Sequence, residues 1–335
     1  MRVLIVGCGY VGLPLGAELV RQGHTVFGLR RRAPAAAELT AAGITPLSAD
    51  ITRPETVAKL PCDFDWVVNC AASGGGGADD YQKIYLEGNR NLIAHLAGES
   101  LPHLFSSGGE GRGEEVNAVS NQFPSLQPSP RLGGERESAS MFRLKKFVYT
   151  SSTSVYAQND GSVVTELSPV TPETDTAKIL VETEQLLLSS VAEHNFPAVI
   201  LRVAGIYGPG RGHSFKQFLR GEARIEGDGS RTLNMIHRDD LIGVIIAALE
   251  RGAPGEIYNA ADDAPVSQAD FFGWLAVELK QPLPPRVAAD AEAGRKRGVT
   301  NKRVCNAKLR AELKYEFRFP DFRAGYAAEL ARVKS

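Results

Sequence analysis

The chain is poor in cysteine: Cys8, Cys62, Cys70 and Cys305 are its only four in 335 residues, with no C-x-x-C pair among them and no histidine pair beside them. That scatter argues against a disulfide framework and against a zinc site, so no metal is expected. Excess charge is lacking too. Lys and Arg number 38 against 39 Asp and Glu, a formal net charge of −1, and this balance argues against a nucleic-acid partner. No basic-plus-apolar signal opens the chain and no apolar run is long enough to span a bilayer, so no membrane partner and a cytoplasmic location are expected. No fixed repeat appears. With 43% hydrophobic residues the chain can bury a full core, as one large α/β unit or two coupled domains.

The most informative stretch is the opening, Met1-Arg-Val-Leu-Ile-Val-Gly-Cys-Gly-Tyr-Val-Gly12. Val3 to Val6 form a short apolar run suited to a central parallel strand, and Leu13, Ala17 and Val20 share one face of a helix over Leu13 to Arg21. Between them lies Gly7-x-Gly9-x-x-Gly12, with Tyr10 and Val11 inside the turn. Gly7 permits the tight turn, Gly9 lets the backbone approach a pyrophosphate, and Gly12 allows close helix packing. Pro14 falls in the first helical turn, where its missing N–H does no harm. Strand, glycine turn and helix in this order predict a dinucleotide site; the alternative is a glycine-rich turn without a ligand.

The second strand, His24 to Leu29, runs into Arg30-Arg31-Arg32, where an NAD site would carry an acid for the ribose hydroxyls. Guanidinium groups pair bidentately with phosphate and cannot accept from a diol, so Arg30 and Arg31 favour NADP(H), with NAD(H) as the lesser expectation. A solvated basic turn is the bland reading. Asp50 and Ile51, after a third strand, are placed for the adenine, although Asp50 also suits a helix N-cap. Ala71 and Ala72, at the end of the strand Trp66 to Cys70, leave room for a cofactor.

Alternating strand and helix patterns predict a parallel, doubly wound Rossmann-type sheet, with a smaller carboxy-terminal α/β lobe for substrate. The expected boundaries are 1–212 for the dinucleotide domain and 213–335 for the lobe, with 234–260 returning to the sheet. Residues 98–140 are rich in Gly, Ser, Pro, Glu and Arg without periodicity and are expected to form a disordered insertion. A fifth strand follows over Lys145 to Ser152, then a helix from about Thr176 to Glu193. The strand Ala198 to Val203 comes next, and Val203 at its exit is expected to border the cofactor.

Several spaced motifs resemble the extended and atypical branch of the short-chain dehydrogenase/reductases, the NAD-dependent epimerase/dehydratase group. They are the glycine turn, Val148-Tyr-Thr-Ser-Ser-Thr-Ser-Val-Tyr156, Leu201 to Arg211 with its Tyr-Gly-Pro-Gly turn, Ile236-His-Arg-Asp-Asp-Leu241 and Glu256 to Asp262. The resemblance covers most of the chain, apart from the insertion. It implies a Ser or Thr that polarises the substrate oxygen, a Tyr that exchanges its proton, and a Lys four residues after the Tyr. Ser152 fits the first role, four residues before Tyr156. Lys178-Ile-Leu-Val-Glu182 resembles the family's Lys-x-x-x-Glu, which makes Lys178 the expected lysine for catalysis and for the nicotinamide ribose. Thr174 stands where the tyrosine would. An aliphatic hydroxyl has no usable acidity, whereas a phenol with an ordinary pKa of ~10 can be tuned toward neutrality. Tyr149, Tyr156 and Tyr207 are possible replacements, each with a reading as a plain core or turn aromatic, and Tyr156 is the one carried forward as catalytic. For the substrate, Tyr207, Arg211, His237 and Arg238 are the expected contacts. Leu233 replaces the arginine that clamps a diphosphate in nucleotide-sugar epimerases; His237 also reads as a structural hydrogen-bonding residue.

Two functions of different class follow. One is an oxidoreductase or epimerase-like enzyme, preferring NADP(H), that acts on a carbonyl or hydroxyl of a small or sugar-like substrate. The other is a non-catalytic NADP(H)-binding or redox-sensing protein that has lost its acid. A third reading, a UDP-sugar 6-dehydrogenase using Cys305, rests on Gly9-Tyr-Val-Gly-Leu-Pro-Leu15 alone. A homo-oligomer is compatible with the sequence.

Overall fold

The computed structural model describes residues 1–31, 36–98, 144–288 and 300–334. Its centre is β1 (Arg2–Val6), β2 (Thr25–Arg30), β3 (Thr45–Ser48), β4 (Trp66–Asn69) and β5 (Lys146–Ser152). Strands Ala198–Val203 and Ile257–Ala260 complete a seven-stranded sheet. The spatial order is Ile257–Ala260, Ala198–Val203, β5, β4, β1, β2, β3, and every pairing is parallel. Strand order reverses between β1 and β4, and ligands of doubly wound sheets bind at the carboxyl ends beside such a switch point.

The strands are apolar because both faces of the sheet are covered. Val3 to Val6 are at most 1% exposed, and all six residues of Ala198–Val203 are buried. Side chains alternate between faces at a period of two. Leu4 and Val6 therefore join one core with Leu92, Ile93, Leu180 and Leu187. Val3 and Ile5 join the other with Leu15 and Leu19 of helix α1 (Gly12–Arg21) and with Val244 and Leu249. Fully burying an aliphatic side chain contributes about 1.5–3 kcal/mol, so this double layer is the main source of stability. A third, largely aromatic core joins Tyr207, Phe215, Phe271, Phe272, Phe322 and Tyr326, beside the sheet's carboxyl ends.

After β4 a helical stretch spans Ala78–Tyr81 and Gly88–Ala97 with a π-helical segment, Gln82–Glu87, between them. A π segment withdraws carbonyls from the regular ladder. The Tyr85 carbonyl accepts from the Gly88 N–H and also from Asn89 Nδ2 at 2.6 Å, and Asn89 Oδ1 accepts from Asn69 Nδ2 at 2.9 Å. Asn69 Oδ1 in turn accepts from the Ala71 N–H at 3.2 Å, which fixes the loop leaving β4. The insertion read over 98–140 lies outside the described residues, Gly98 apart. Among the described residues, no helix is long and apolar enough to cross a membrane.

Candidate active site

The three glycines divide their labour as the turn requires. Gly7 has φ +88°, and a Cβ there would stand 2.6 Å from Ala71 Cα. A Cβ on Gly12 would lie 2.4 Å from the Gly7 carbonyl oxygen, so the helix can start against the strand only without a side chain. At Gly9 a Cβ would meet nothing within 4 Å, and its open face looks into a cavity. Helix α1 takes Val11 as its N-cap with no side-chain cap; the Leu13 N–H donates to the Gly9 carbonyl at 3.0 Å and Pro14 has none, which leaves the N–H groups of Val11 and Gly12 to an anion.

The cavity measures about 1160 Å³ and runs along the carboxyl ends of the strands. Gly7, Gly9, Tyr10, Val11, Arg30, Arg31, Asp50, Ile51, Ala71, Ala72 and Val203 all line it, so most of the expected cofactor residues are brought together. Gly12 sits behind the turn as packing. Arg30 is already engaged: its Nε donates to the Cys8 carbonyl, and its Nη1 lies 2.8 Å from Glu38 Oε2. Arg31 is exposed at the rim, and Arg32 lies outside the described residues. Asp50 Oδ1 accepts from the Thr52 N–H and hydroxyl, at 3.0 and 2.8 Å. The N-cap of the next helix is Arg53, so the capping alternative for Asp50 is not realised.

Ser152 lines the cavity at the exit of β5, where its Oγ accepts from Ser154 N at 3.2 Å and from Ser154 Oγ at 3.0 Å. Two companions assigned to it are elsewhere. Lys178 is an exposed residue whose Nζ lies 3.3 Å from Asp175 of its own helix, Asp175–His194. The residue of that helix that lines the cavity is Leu180. Its acid is Glu184, not Glu182: Glu184 is 2% exposed and meets Arg202 at 2.7 Å, whereas Glu182 faces solvent. The Lys-x-x-x-Glu reading is therefore corrected by two residues, and it puts a leucine where the lysine was expected. Thr176 then stands four residues before Leu180, again without a phenol.

Tyr156 is likewise corrected. It is wholly buried and does not line the cavity. Its hydroxyl donates to Asn259 Oδ1 at 2.9 Å and accepts from Arg202 Nη1 at 2.8 Å. Burial pushes the phenol pKa up, away from the range an acid catalyst needs. Around it runs one buried network, since Ser151 Oγ donates to Glu184 at 2.6 Å and the Asn259 N–H donates to Glu166 at 2.8 Å. Tyr149, also buried, is a sheet residue outside the cavity.

Of the expected substrate contacts, Tyr207 and Arg211 line the cavity and His237 and Arg238 do not. His237 Nδ1 accepts from the Asp239 N–H at 3.2 Å, which makes it the N-cap of helix Arg238–Arg251. Burial lowers its pKa and favours the neutral ring that this cap requires. Arg238 is held by Asp239 at 2.8 Å and lies over the Tyr10 ring, 5.3 Å from its centroid. Arg211 lies over the same ring at 5.0 Å. Tyr10, from the glycine turn, is thus bracketed by two guanidinium groups from the second half of the chain. Tyr207 donates to the Asp321 carbonyl at 3.2 Å and stacks on Tyr326 at 4.5 Å. Cys305 does not line the cavity, which removes the structural support for the 6-dehydrogenase reading.

Several lining residues carried no motif: Lys302, Thr300, Tyr326, His213 and Lys216. Asp50 is the only carboxylate among the described lining residues, so the end of the cavity beyond Ser152 is cationic.

A parallel sheet in this order, with the glycine turn at its switch point, defines an α/β protein of Rossmann type. Residues 3–261 match the model of the NAD dependent epimerase/dehydratase family, and the chain belongs to that family. Among relatives, protein YeeZ of Escherichia coli strain K12 is 28% identical over 323 residues, covering 96% of this chain and 97% of that protein. The 3-diazoavenalumate denitrifying reductase of a Streptomyces species is 25% identical over 350 aligned positions, covering 98% of this chain and 100% of that one. The crystal structure of UDP-glucuronic acid 4-epimerase from Bacillus cereus in complex with NAD shares the fold, with a TM-score of 0.73 at 20% identity over 100% of this chain and 99% of that chain.

Proposed function

We propose that the protein is an NADP(H)-dependent oxidoreductase of this family, acting on a carbonyl or hydroxyl of a small or sugar-like substrate. The observation that carries the reading is one cavity holding both halves of such a site: the open Gly9 face with uncapped helix N–H groups, and the Ser152 hydroxyl at the exit of β5. These residues fit a dinucleotide. The turn would hold the pyrophosphate, Asp50 and Ile51 would border the adenosine, and Arg31 at the rim would pair with a 2′-phosphate. When bound, the dinucleotide supplies a hydride. Ser152, its rotamer fixed by Ser154, orients the substrate oxygen by hydrogen bonding. Leu180 and Val203 keep water from that end. The reductase among the full-length relatives supports redox chemistry on this scaffold.

The second reading, a binding or redox-sensing protein, is favoured by Leu180 and Thr176 at the expected lysine and tyrosine positions. Parallel calorimetric titrations with NADPH and NADH, followed by a carbonyl turnover screen, separate the two. The enzyme reading expects tighter NADPH binding and turnover that Ser152→Ala abolishes while nucleotide affinity holds. Binding without any turnover sinks it in favour of the sensor.

A further inference from the structure

Thr176 and Leu180 leave the expected helix positions without a phenol or a lysine, and the structure offers a buried proton donor that no motif marks. Lys302 is only 4% exposed, yet it lines the cavity. Its Nζ donates to the Tyr156 carbonyl at 2.7 Å and to Thr300 Oγ1 at 2.9 Å. An ammonium has three hydrogens, so these two bonds leave one in hand on a group that lines the cavity. The Lys302 carbonyl accepts from Asn234 Nδ2 at 2.8 Å, so the backbone carrying the side chain is anchored as well. Tyr156, whose carbonyl holds the ammonium, closes the short turn that begins at Ser152, and its ring is fixed by Arg202 and Asn259. The network behind β5 thereby ties the Lys302 ammonium to the far end of the turn that Ser152 opens, and both residues line the cavity.

We propose that Lys302 is the general acid–base of this site, giving its third proton to the oxygen that Ser152 orients and recovering it from solvent. The inference rests on the dinucleotide reading above. In the reductive direction the carbonyl carbon accepts a hydride, the C–O π pair moves onto oxygen, the Lys302 N–H bond breaks and an O–H bond forms. The two electrons come from a reduced nicotinamide dinucleotide, which leaves oxidised.

The surroundings suit this role. Burial pushes the Lys302 ammonium down to about 8, where a lysine both holds and gives up a proton near neutrality. The charged groups on the neighbouring elements are Arg231 in the cavity wall, and Arg202 with Glu184 and Glu166 behind Tyr156. Arg202 and Glu184 compensate each other, and among the described residues no carboxylate lines the cavity there to pin the lysine in its charged form.

The test uses the full chain with ¹³C,¹⁵N-labelled lysine, titrated by NMR with saturating NADPH and, separately, with NADP⁺. The Lys302 signal is identified by its loss in Lys302→Met, and in Lys302→Arg should the methionine variant fail to fold. Lys302 should titrate near 8, with a midpoint on the order of one pH unit lower in the NADP⁺ complex, because the oxidised ring brings a positive charge into the same cavity. Equal midpoints in the two complexes, or a Lys302 that titrates with the surface lysines, overturn the proposal and leave the dinucleotide reading intact. Calorimetry showing that neither nucleotide binds overturns that reading and the proposal with it. On any carbonyl compound the protein reduces, Lys302→Arg should lower kcat by about 10²- to 10⁴-fold with NADPH affinity unchanged; full retained turnover refutes the assignment.

Discussion

Removing Glu184 breaks a buried ion pair. Arg202 and Glu184 are 3% and 2% exposed, and three contacts of 2.7–3.2 Å join the guanidinium to the carboxylate. Glu184→Leu leaves the guanidinium buried with only neutral partners, Tyr156 and the Glu166 carbonyl. Breaking a buried pair this way costs about 3–5 kcal/mol, whereas replacing both members by apolar residues of similar volume is often neutral or better. Urea denaturation of wild type, Glu184→Leu, Arg202→Met and the double variant, at constant m, measures this directly. Each single change should lose about 3–5 kcal/mol, and the double variant should recover most of it. A Glu184→Leu cost under about 1 kcal/mol, or a double variant as unstable as the sum of the singles, would refute the view that the cost lies in an uncompensated charge.

The glycines separate folding from binding. Gly12→Ala should lower both the melting temperature and NADPH affinity, since its Cβ would meet the Gly7 carbonyl at 2.4 Å. Gly9→Ala, with nothing within 4 Å, should keep the melting temperature and lose affinity on calorimetric titration, because the methyl occupies the pyrophosphate's approach. Arg31→Ala should weaken NADPH binding by about 10- to 100-fold and leave NADH nearly untouched, as expected for losing one charge-assisted phosphate contact. Asp262, 2% exposed and with Oδ2 unpartnered, is pushed by burial up to about 8. Its folded pKa lies above its ordinary 3.8, so the unfolded chain releases the proton first and stability falls as pH rises from about 4 to 8. Asp262→Asn should therefore stabilise the protein by roughly 3–6 kcal/mol at pH 9 and much less at pH 4, measured by urea denaturation at both.

The glycine turn and its place at the cavity were legible because the geometry is local: the turn needs three glycines at fixed spacing between an apolar strand and a helical face. Ser152 was legible for the same reason, as part of a strand exit. The helix after β5 was not, because Lys178/Glu182 and Leu180/Glu184 have identical spacing and only burial decides which acid meets Arg202. Tyr156 misled because an aromatic near the site in sequence can point into the core. Lys302 carried no signal at all, since its role depends on a carbonyl 146 positions away.

The bracketing of Tyr10 by Arg211 and Arg238 bears on the order of assembly. The first turn made at synthesis receives its neighbours only when the second half of the chain arrives, and Lys302 and Tyr326 complete the wall later still. Such long-range closure makes the site slow to form relative to the early strands. The glycine turn lies within 3–261, the span that the family model matches, whereas Thr300, Lys302 and Tyr326 lie beyond it.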